Sequence, residues 1–249
     1  MLARKSNGVV DGFVIEGPLA GGHNDPPRGA LKLAPDGQPI YGPRDVVDLA
    51  PMRELGLPFW LAGGYGLPER YREALAEGAS GIQVGTAFAL CVESEIVPEI
   101  RKTLVLKALA GKATVFTDPV ASPTGYPFKV AVLEGTLSEK NVYQARRRLC
   151  DLGFLRELYR CPNGAIGYRC AAEQEAIFVA KGGTLESTIG RVCLCNSLVA
   201  NVGMPQRLPD GSTEPCMITL GDDLTAVGRF CSLQHPDYSA ADVIRILLG

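Results

Sequence analysis

The sequence predicts an α/β protein built on a parallel sheet, and three features of its first third carry that prediction. Short apolar runs recur, and each is typical of a buried strand. Each run ends in a cluster of small residues, mostly glycine. Helical stretches separate the runs, and strands joined through helices by short connections pair in parallel. The runs with the residues that follow them span 13–23, 58–66 and 81–88.

The first strand is predicted within residues 9–23, centred on the apolar run Phe13-Val14-Ile15. A long loop follows over residues 24–44, because proline and glycine are dense there. A helix is expected over residues 45–56, since four apolar side chains fall on one side of it: Val46, Val47, Leu49 and Met52.

Two further strand–helix units follow. Strands are predicted over residues 57–62 and 81–84, and helices over residues 68–77 and 93–111. The first of these helices has proline in its favoured first turn and ends at Gly78. Apolar residues at four-residue intervals predict its core-facing side: Leu67, Tyr71 and Leu75.

After residue 112 the repeating pattern ends, and the chain is irregular over residues 118–127. A hairpin is predicted over residues 157–170, turning at Asn163-Gly164. A terminal helix is predicted over residues 239–248, with Ser239 and Asp242 forming a capping box. We therefore divide the chain into a partial β/α unit, residues 1–130, and a cysteine-rich α+β extension, residues 131–249.

Composition limits the partners and the compartment. The net charge is −2, which gives no electrostatic reason to expect nucleic acid or an anionic membrane as a partner. No apolar stretch is long enough to span a bilayer, and the N-terminus lacks the apolar core of a secretory signal. Eight cysteines without an export signal favour free thiols in a reducing compartment, so a cytoplasmic location is expected.

The glycine clusters after the second and third strands suggest a phosphate site. Glycine lets backbone N–H groups approach a phosphate without interference from Cβ atoms. Gly63-Gly64 and Gly85-Thr86 follow consecutive strands, which fits the phosphate position after strands seven and eight of a β/α barrel. The alternative is that these glycines only form tight turns between strand and helix.

His23 follows the first strand, at the end where barrel enzymes carry catalytic groups. An imidazole can accept or donate a proton near neutral pH. The alternative is a loop histidine that makes only local hydrogen bonds. The second histidine, His235, is predicted to lie on the surface.

The combined motifs 17–23, 61–64 and 83–88 strongly resemble those of the nitronate monooxygenases, formerly called 2-nitropropane dioxygenases. The resemblance covers roughly residues 8–130. It implies a TIM-type (β/α)8 barrel that binds FMN and oxidises alkyl nitronates with O₂ to a carbonyl compound and nitrite. The remainder resembles the C-terminal extension of a longer bacterial subgroup.

The resemblance also implies roles for individual residues. His23 becomes the candidate catalytic residue beside the flavin. Seven residues become cofactor-binding candidates: Ala20, Gly21 and Gly22 beside the flavin, and Gly63, Gly64, Gly85 and Thr86 around the FMN phosphate. Gln83 and Phe88 are expected close to this group.

Against the family pattern, Met1 aligns just before the sixth barrel strand. The chain is therefore expected to carry about three β/α units, strands six to eight, with an open strand edge and an uncovered sheet face. A fragment, or one chain of a split enzyme whose partner carries the first five strands, is the expectation. Two other interpretations remain: a flavin-dependent enoyl reductase, and a non-catalytic module that works only with a partner chain.

Seven of the eight cysteines lie after residue 149. Cys150, Cys170, Cys193 and Cys195 offer four thiolates for zinc or an iron–sulfur centre. Their spacing differs from paired Cys-x-x-Cys knuckles, so buried free thiols are the favoured interpretation and no metal ligands are predicted.

Overall fold

A computed structural model describes residues 8–249 and shows an α/β chain whose parallel sheet lies in its first third. The strands are β1 (Phe13–Glu16), β2 (Phe59–Ala62), β3 (Gly81–Gln83), β4 (Val115–Asp118), β5 (Phe128–Ala131), β6 (Glu157–Arg160) and β7 (Ile166–Arg169). The α-helices are α1 (Ala50–Glu54), α2 (Pro68–Ala76), α3 (Thr86–Ala89), α4 (Pro98–Leu109), α5 (Lys140–Ala145), α6 (Glu175–Ala180), α7 (Leu194–Ala200) and α8 (Ala240–Leu248).

The parallel sheet has the order β1-β2-β3, which confirms the predicted α/β class and its three consecutive units. Phe13 pairs with Phe59, and Leu61 pairs with both Ile15 and Ile82. Side chains in register point to the same face. These apolar residues pack against the side chains of α1 and α2, so this face of the sheet is covered by helices.

The opposite face of the sheet is partly uncovered among the described residues. Val14 pairs with Trp60, and their side chains are 49% and 36% exposed. A parallel sheet is normally covered on both faces. The sheet therefore presents apolar surface on the side away from α1 and α2.

Two of the helix predictions are wrong in detail. Residues 45–56 form only the short helix α1, because the Pro51 ring would collide with the carbonyl four residues earlier in a longer helix. Val46 is consequently exposed. In α2 the predicted stripe is wrong at its last position, because Leu75 is 41% exposed and Ala74 is buried instead. Leu67 does pack against the largest core cluster. Gly78 ends the helix in a left-handed conformation, as expected.

The irregular segment 119–127 lies between two strands that the sequence pattern did not reveal. β4 and β5 pair antiparallel, and all four side chains of β5 are buried. The helix predicted over residues 93–111 begins only at Pro98. In both places the hydrophobic residues follow neither the helical nor the strand repeat, so the sequence did not reveal the structure.

The extension folds against the first segment. Its predicted hairpin is present as β6 and β7, and the predicted capping box on α8 is formed by Ser239 and Asp242. The largest core cluster takes Leu90 and Leu104 from the first segment and Ile218 and Val243 from the extension. No helix within residues 8–249 is long and apolar enough to cross a membrane. The predicted boundary at residue 130 stays a prediction.

Candidate cofactor and active site

One cavity of about 310 Å³ lies where the three parallel strands end. All seven residues predicted to bind a cofactor line it: Ala20, Gly21, Gly22, Gly63, Gly64, Gly85 and Thr86. Gln83 lines it as well, whereas Phe88 packs against the core instead. The carboxyl ends of parallel strands meet at one edge of a sheet, which is why residues far apart in the sequence converge here.

The glycines serve this edge in two different ways. A Cβ on Gly63 would lie 2.9 Å from the Ala20 nitrogen, and its φ of +89° is left-handed. A Cβ on Gly21 would lie 2.9 Å from the Gly221 nitrogen. Gly85 differs, because a Cβ there would meet nothing within 4 Å. Gly63 and Gly21 therefore allow neighbouring loops to approach, while Gly85 leaves open space in the cavity.

The C-terminal extension contributes part of the cavity wall, which the sequence prediction missed. Thr219, Leu220, Gly221 and Asp223 line it. The Thr219 hydroxyl accepts a hydrogen bond from the Gly22 backbone at 2.7 Å. The signal in the sequence was the mostly apolar segment Met217-Ile218-Thr219-Leu220, which is followed by Gly221 and resembles the three recognised strand ends.

Thr86 is fixed by the same segment. Its hydroxyl oxygen accepts a hydrogen bond from the Gly221 backbone at 2.8 Å. Because the oxygen is the acceptor in this contact, the hydroxyl proton remains a donor that a ligand in the cavity can use. The interaction holds the third strand end against the extension.

His23 faces a second, neighbouring cavity of about 570 Å³, and Glu16 lines both cavities. The Nε2 atom of His23 lies 2.7 Å from the Ser122 hydroxyl. The His23 ring packs edge-on against Phe128, with 5.0 Å between the ring centroids. Burial lowers the pKa of His23 below its usual value. The neutral imidazole that results at neutral pH is the form that accepts a proton.

Asn24, next to His23, is another residue that the sequence prediction missed. The side chain is buried, and its amide donates to the Ala20 carbonyl at 3.1 Å. Its Oδ1 has no hydrogen-bond partner among the residues that the structure describes. Burying an acceptor without a partner lowers the stability of the fold. Asn24 lines the same cavity as His23.

An ion pair lies close to the His23 loop, with Lys129 almost fully buried and the Asp222 side chain 33% exposed. The ammonium of Lys129 contacts the Asp222 carboxylate and donates to the Thr117 hydroxyl at 2.7 Å. The Lys129 backbone donates to the Gly22 carbonyl at 2.9 Å. The pair joins β5 to the extension and fixes the loop that carries His23.

Taken together, the edge offers backbone groups, a threonine hydroxyl and a neutral histidine around adjoining cavities. These groups can bind an organic ligand that carries polar oxygens, and the histidine can take part in a proton transfer. Over residues 8–249, no group of three acidic, histidine or cysteine side chains is arranged to hold a metal ion.

Comparison with known proteins gives a consistent family. The nitronate monooxygenase family model matches residues 2–134. A nitronate monooxygenase of Pseudomonas aeruginosa is 36% identical over 122 residues, 47% of this chain and 32% of that protein. A probable nitronate monooxygenase of Bacillus subtilis is 35% identical over 99 residues, 40% of this chain and 26% of that protein. The matched segments thus span about a quarter to a third of the length of these relatives.

Among solved structures, FabK from Thermotoga maritima is similar over 96% of this chain and 53% of that chain, with 17% identity and a TM-score of 0.45. A point mutant of the same protein gives 18% identity, 51% of that chain and a TM-score of 0.43. The family model covers more than half of the present sequence, including all the strand-end motifs. The protein therefore belongs to the nitronate monooxygenase family, and its three β/α units are part of that family's barrel.

Proposed function

We propose that this chain forms the FMN-binding end of an enzyme that oxidises alkyl nitronates with O₂ to a carbonyl compound and nitrite. The observation that carries the proposal is the convergence of all seven cofactor-binding candidates on one cavity, with His23 on the next. Membership of the nitronate monooxygenase family supports the reaction class. The matched segments make up only 32% and 26% of the relatives, so the activity is proposed for the complete barrel.

The cavity fits a phosphate-bearing cofactor at the two later strand ends. The open space beside Gly85 and the donor hydroxyl of Thr86 lie together in it. Gly63 and Gly64 bring a second strand end to the same cavity with left-handed backbones. We assign these four residues to the FMN phosphate, and Ala20, Gly21 and Gly22 to the flavin side.

When bound, FMN would supply the electron transfer between nitronate and O₂. The chain's own contribution is to orient the reactants and to move a proton. His23, neutral because of its burial, is placed by Ser122 to accept a proton from the substrate or to hydrogen-bond it. Asn24, the next residue along the chain, lines the same cavity.

The binding claim is tested with Gly85→Leu. A leucine at this position can adopt the backbone conformation, since φ is −102°, and its side chain fills the open space. We expect the dissociation constant for FMN to rise at least about tenfold, roughly 1.4 kcal/mol. Flavin retained after gel filtration and quenching of flavin fluorescence on titration measure the change.

Gly42→Leu is the matched control. Gly42 also has nothing within 4 Å of a Cβ and an ordinary extended backbone, but it lines neither of the two cavities. Equal FMN affinity in the two variants, or no FMN binding by the parent chain with or without the rest of the barrel, contradicts the proposal. Nitrite release from a nitronate by the completed barrel, lost in His23→Ala, tests the reaction itself.

A further inference from the structure

Four cysteines of the extension meet in one cluster, and none of them lines either of the two cavities at the strand ends. We call it the thiol cluster, and it consists of Cys150, Cys170, Cys193 and Cys195. Three separate segments supply it: the loop after α5, the residue after β7 and the start of α7. All four are free thiols. The sequence already grouped these residues, and the fold brings them together.

Within the cluster, Cys150 and Cys170 form an unequal pair. The two side chains pack together in the cluster. Cys170 is buried, whereas Cys150 is partly exposed. A reagent in solution therefore reaches Cys150 first, and the buried thiol stands directly behind it.

Arg156 makes Cys150 the reactive member. Its guanidinium donates to the Cys150 carbonyl at 3.3 Å, which places a positive charge beside the thiol. The Cys170 thiol and this cation lower the pKa of Cys150 to about 6, so the thiolate is the main form at neutral pH. The thiolate, not the thiol, is the nucleophile in cysteine oxidation. The pKa of Cys170 is raised by its contact with Cys150 and by burial.

The second pair has a different geometry. The Cys193 side chain, and after it the backbone N–H groups of Leu155 and Phe154, lower the pKa of Cys195. The two cysteines are only two residues apart, with Cys195 inside the first turn of α7. A disulfide between residues two positions apart closes a very short loop, which strains the geometry of the bond. The bond that can form readily is the one between the separate segments.

We propose that Cys150 and Cys170 are a peroxide-sensitive thiol pair, a modification site in which Cys150 is oxidised first and Cys170 resolves it. The Cys150 thiolate attacks hydrogen peroxide, forming Cys150–SOH and releasing hydroxide. The Cys170 thiol then displaces the sulfenic oxygen as water and the disulfide forms. Peroxide is the two-electron oxidant, and the two sulfurs are oxidised together. The product ties the loop after α5 to the end of β7.

The reduced full chain, treated with one equivalent of hydrogen peroxide, tests the site by peptide mass mapping. We expect a disulfide between Cys150 and Cys170, seen as a mass loss of two hydrogens. In Cys170→Ser, a sulfenic acid at Cys150 should persist and be trapped by dimedone, because the resolving thiol is gone. Iodoacetamide should alkylate Cys150 with a half-maximal rate near pH 6, the pKa given by its contacts.

Cys216→Ser is the matched control, since burial raises the pKa of Cys216 and it lies outside the thiol cluster. It should form the Cys150–Cys170 disulfide as the parent chain does. Three results overturn the proposal: no sulfenic acid or disulfide at Cys150, a disulfide confined to another pair, or one zinc or iron per chain that is lost in Cys150→Ser. The parent-chain mapping requires no variant, so misfolding of a mutant cannot decide the outcome.

Discussion

His23 shows how much a single residue depends on its neighbours. Its place after β1 follows from the sequence, but its hydrogen bond goes to Ser122, 99 residues later. Ser122 is fully buried and is itself hydrogen-bonded to Thr124. The irregular segment between β4 and β5, which has no recognisable motif, therefore orients the candidate base.

The protonation of His23 can be measured directly. Because burial lowers its pKa, the C2–H resonance should titrate with a midpoint below 6.5. In the unfolded chain the imidazole takes up a proton at about 6.5. The free energy of unfolding should therefore decrease as the pH falls below 6.5. Above 6.5, the contribution of His23 to stability should not change with pH. His235→Gln assigns the resonance, and a His23 midpoint above 6.5 would refute the expectation.

Glu214 and Arg146 form an ion pair whose side chains are each only 1% exposed. Glu214→Gln leaves the guanidinium buried without its counter-charge, which costs about 3–5 kcal/mol. Glu69→Gln is the control, because its partner Arg229 is 59% exposed, and surface pairs contribute roughly 1 kcal/mol or less. Urea unfolding of both variants measures the difference. Equal losses would show that burial does not set the strength of these pairs.

At the scale of elements, the short helices owe their bounds to local chemistry. Pro51 lies in the first turn of α1 and prevents the helix from beginning earlier. The left-handed backbone of Gly78 follows the end of α2. α8 is capped by Ser239, whose hydroxyl accepts a hydrogen bond from the Asp242 backbone, while the Asp242 carboxylate accepts one from the Ser239 backbone. On its inner side Val243 is fully buried.

Ser239→Ala should destabilise the protein by about 1 kcal/mol, because the first turn of α8 loses its acceptor. The backbone N–H of Ser239 is the main reason that the pKa of Asp242 lies at about 2. The stabilisation by this carboxylate is therefore present above its ordinary value of 3.8 and is lost as the pH falls through about 2.

Guanidinium unfolding at neutral pH measures the Ser239→Ala effect. Ser80→Ala, at an exposed loop serine, is the control and should stay within about 0.5 kcal/mol of the parent. Equal destabilisation by both changes would rule out the capping interaction as the cause.

For the whole molecule, the sheet and the extension are linked through one core. Leu90 and Leu104 pack with Ile218 and Val243 in the largest cluster. Ala131 at the end of β5 also bridges to Ile218. The extension is therefore part of the structure that carries the cavity, while the face with Val14 and Trp60 stays partly exposed.

We propose that the first five strands of the family's barrel cover this exposed face. Trp60 is the only tryptophan in the chain, so its fluorescence reports on that face alone. Adding a protein segment with those strands should shift the emission to shorter wavelength, since the indole leaves water. Trp60→Phe removes the signal and serves as the control. Association without any change in Trp60 emission would show that another surface binds.

The sequence alone allowed prediction of the three parallel units, the hairpin at Asn163-Gly164, the capping box and the family. These features depend on local spacing and on residues with few conformational choices, such as glycine at a strand end. The prediction of a helix over the whole of residues 45–56 was wrong, because Pro51 prevents a longer helix despite the apolar pattern. The β4–β5 pair was missed because short strands without a period leave no local signal.

Only the tertiary structure decided which of these pieces meet. It brought Thr219 and Gly221 of the extension against Gly22 and Thr86. It placed His23 on a neighbouring cavity rather than among the glycines, and it gathered four cysteines from three segments. Such contacts join residues 100 or more positions apart or depend on burial, and a single sequence carries no direct record of either. The sequence thus determined the strand ends and the family, and the packing of the extension determined the site.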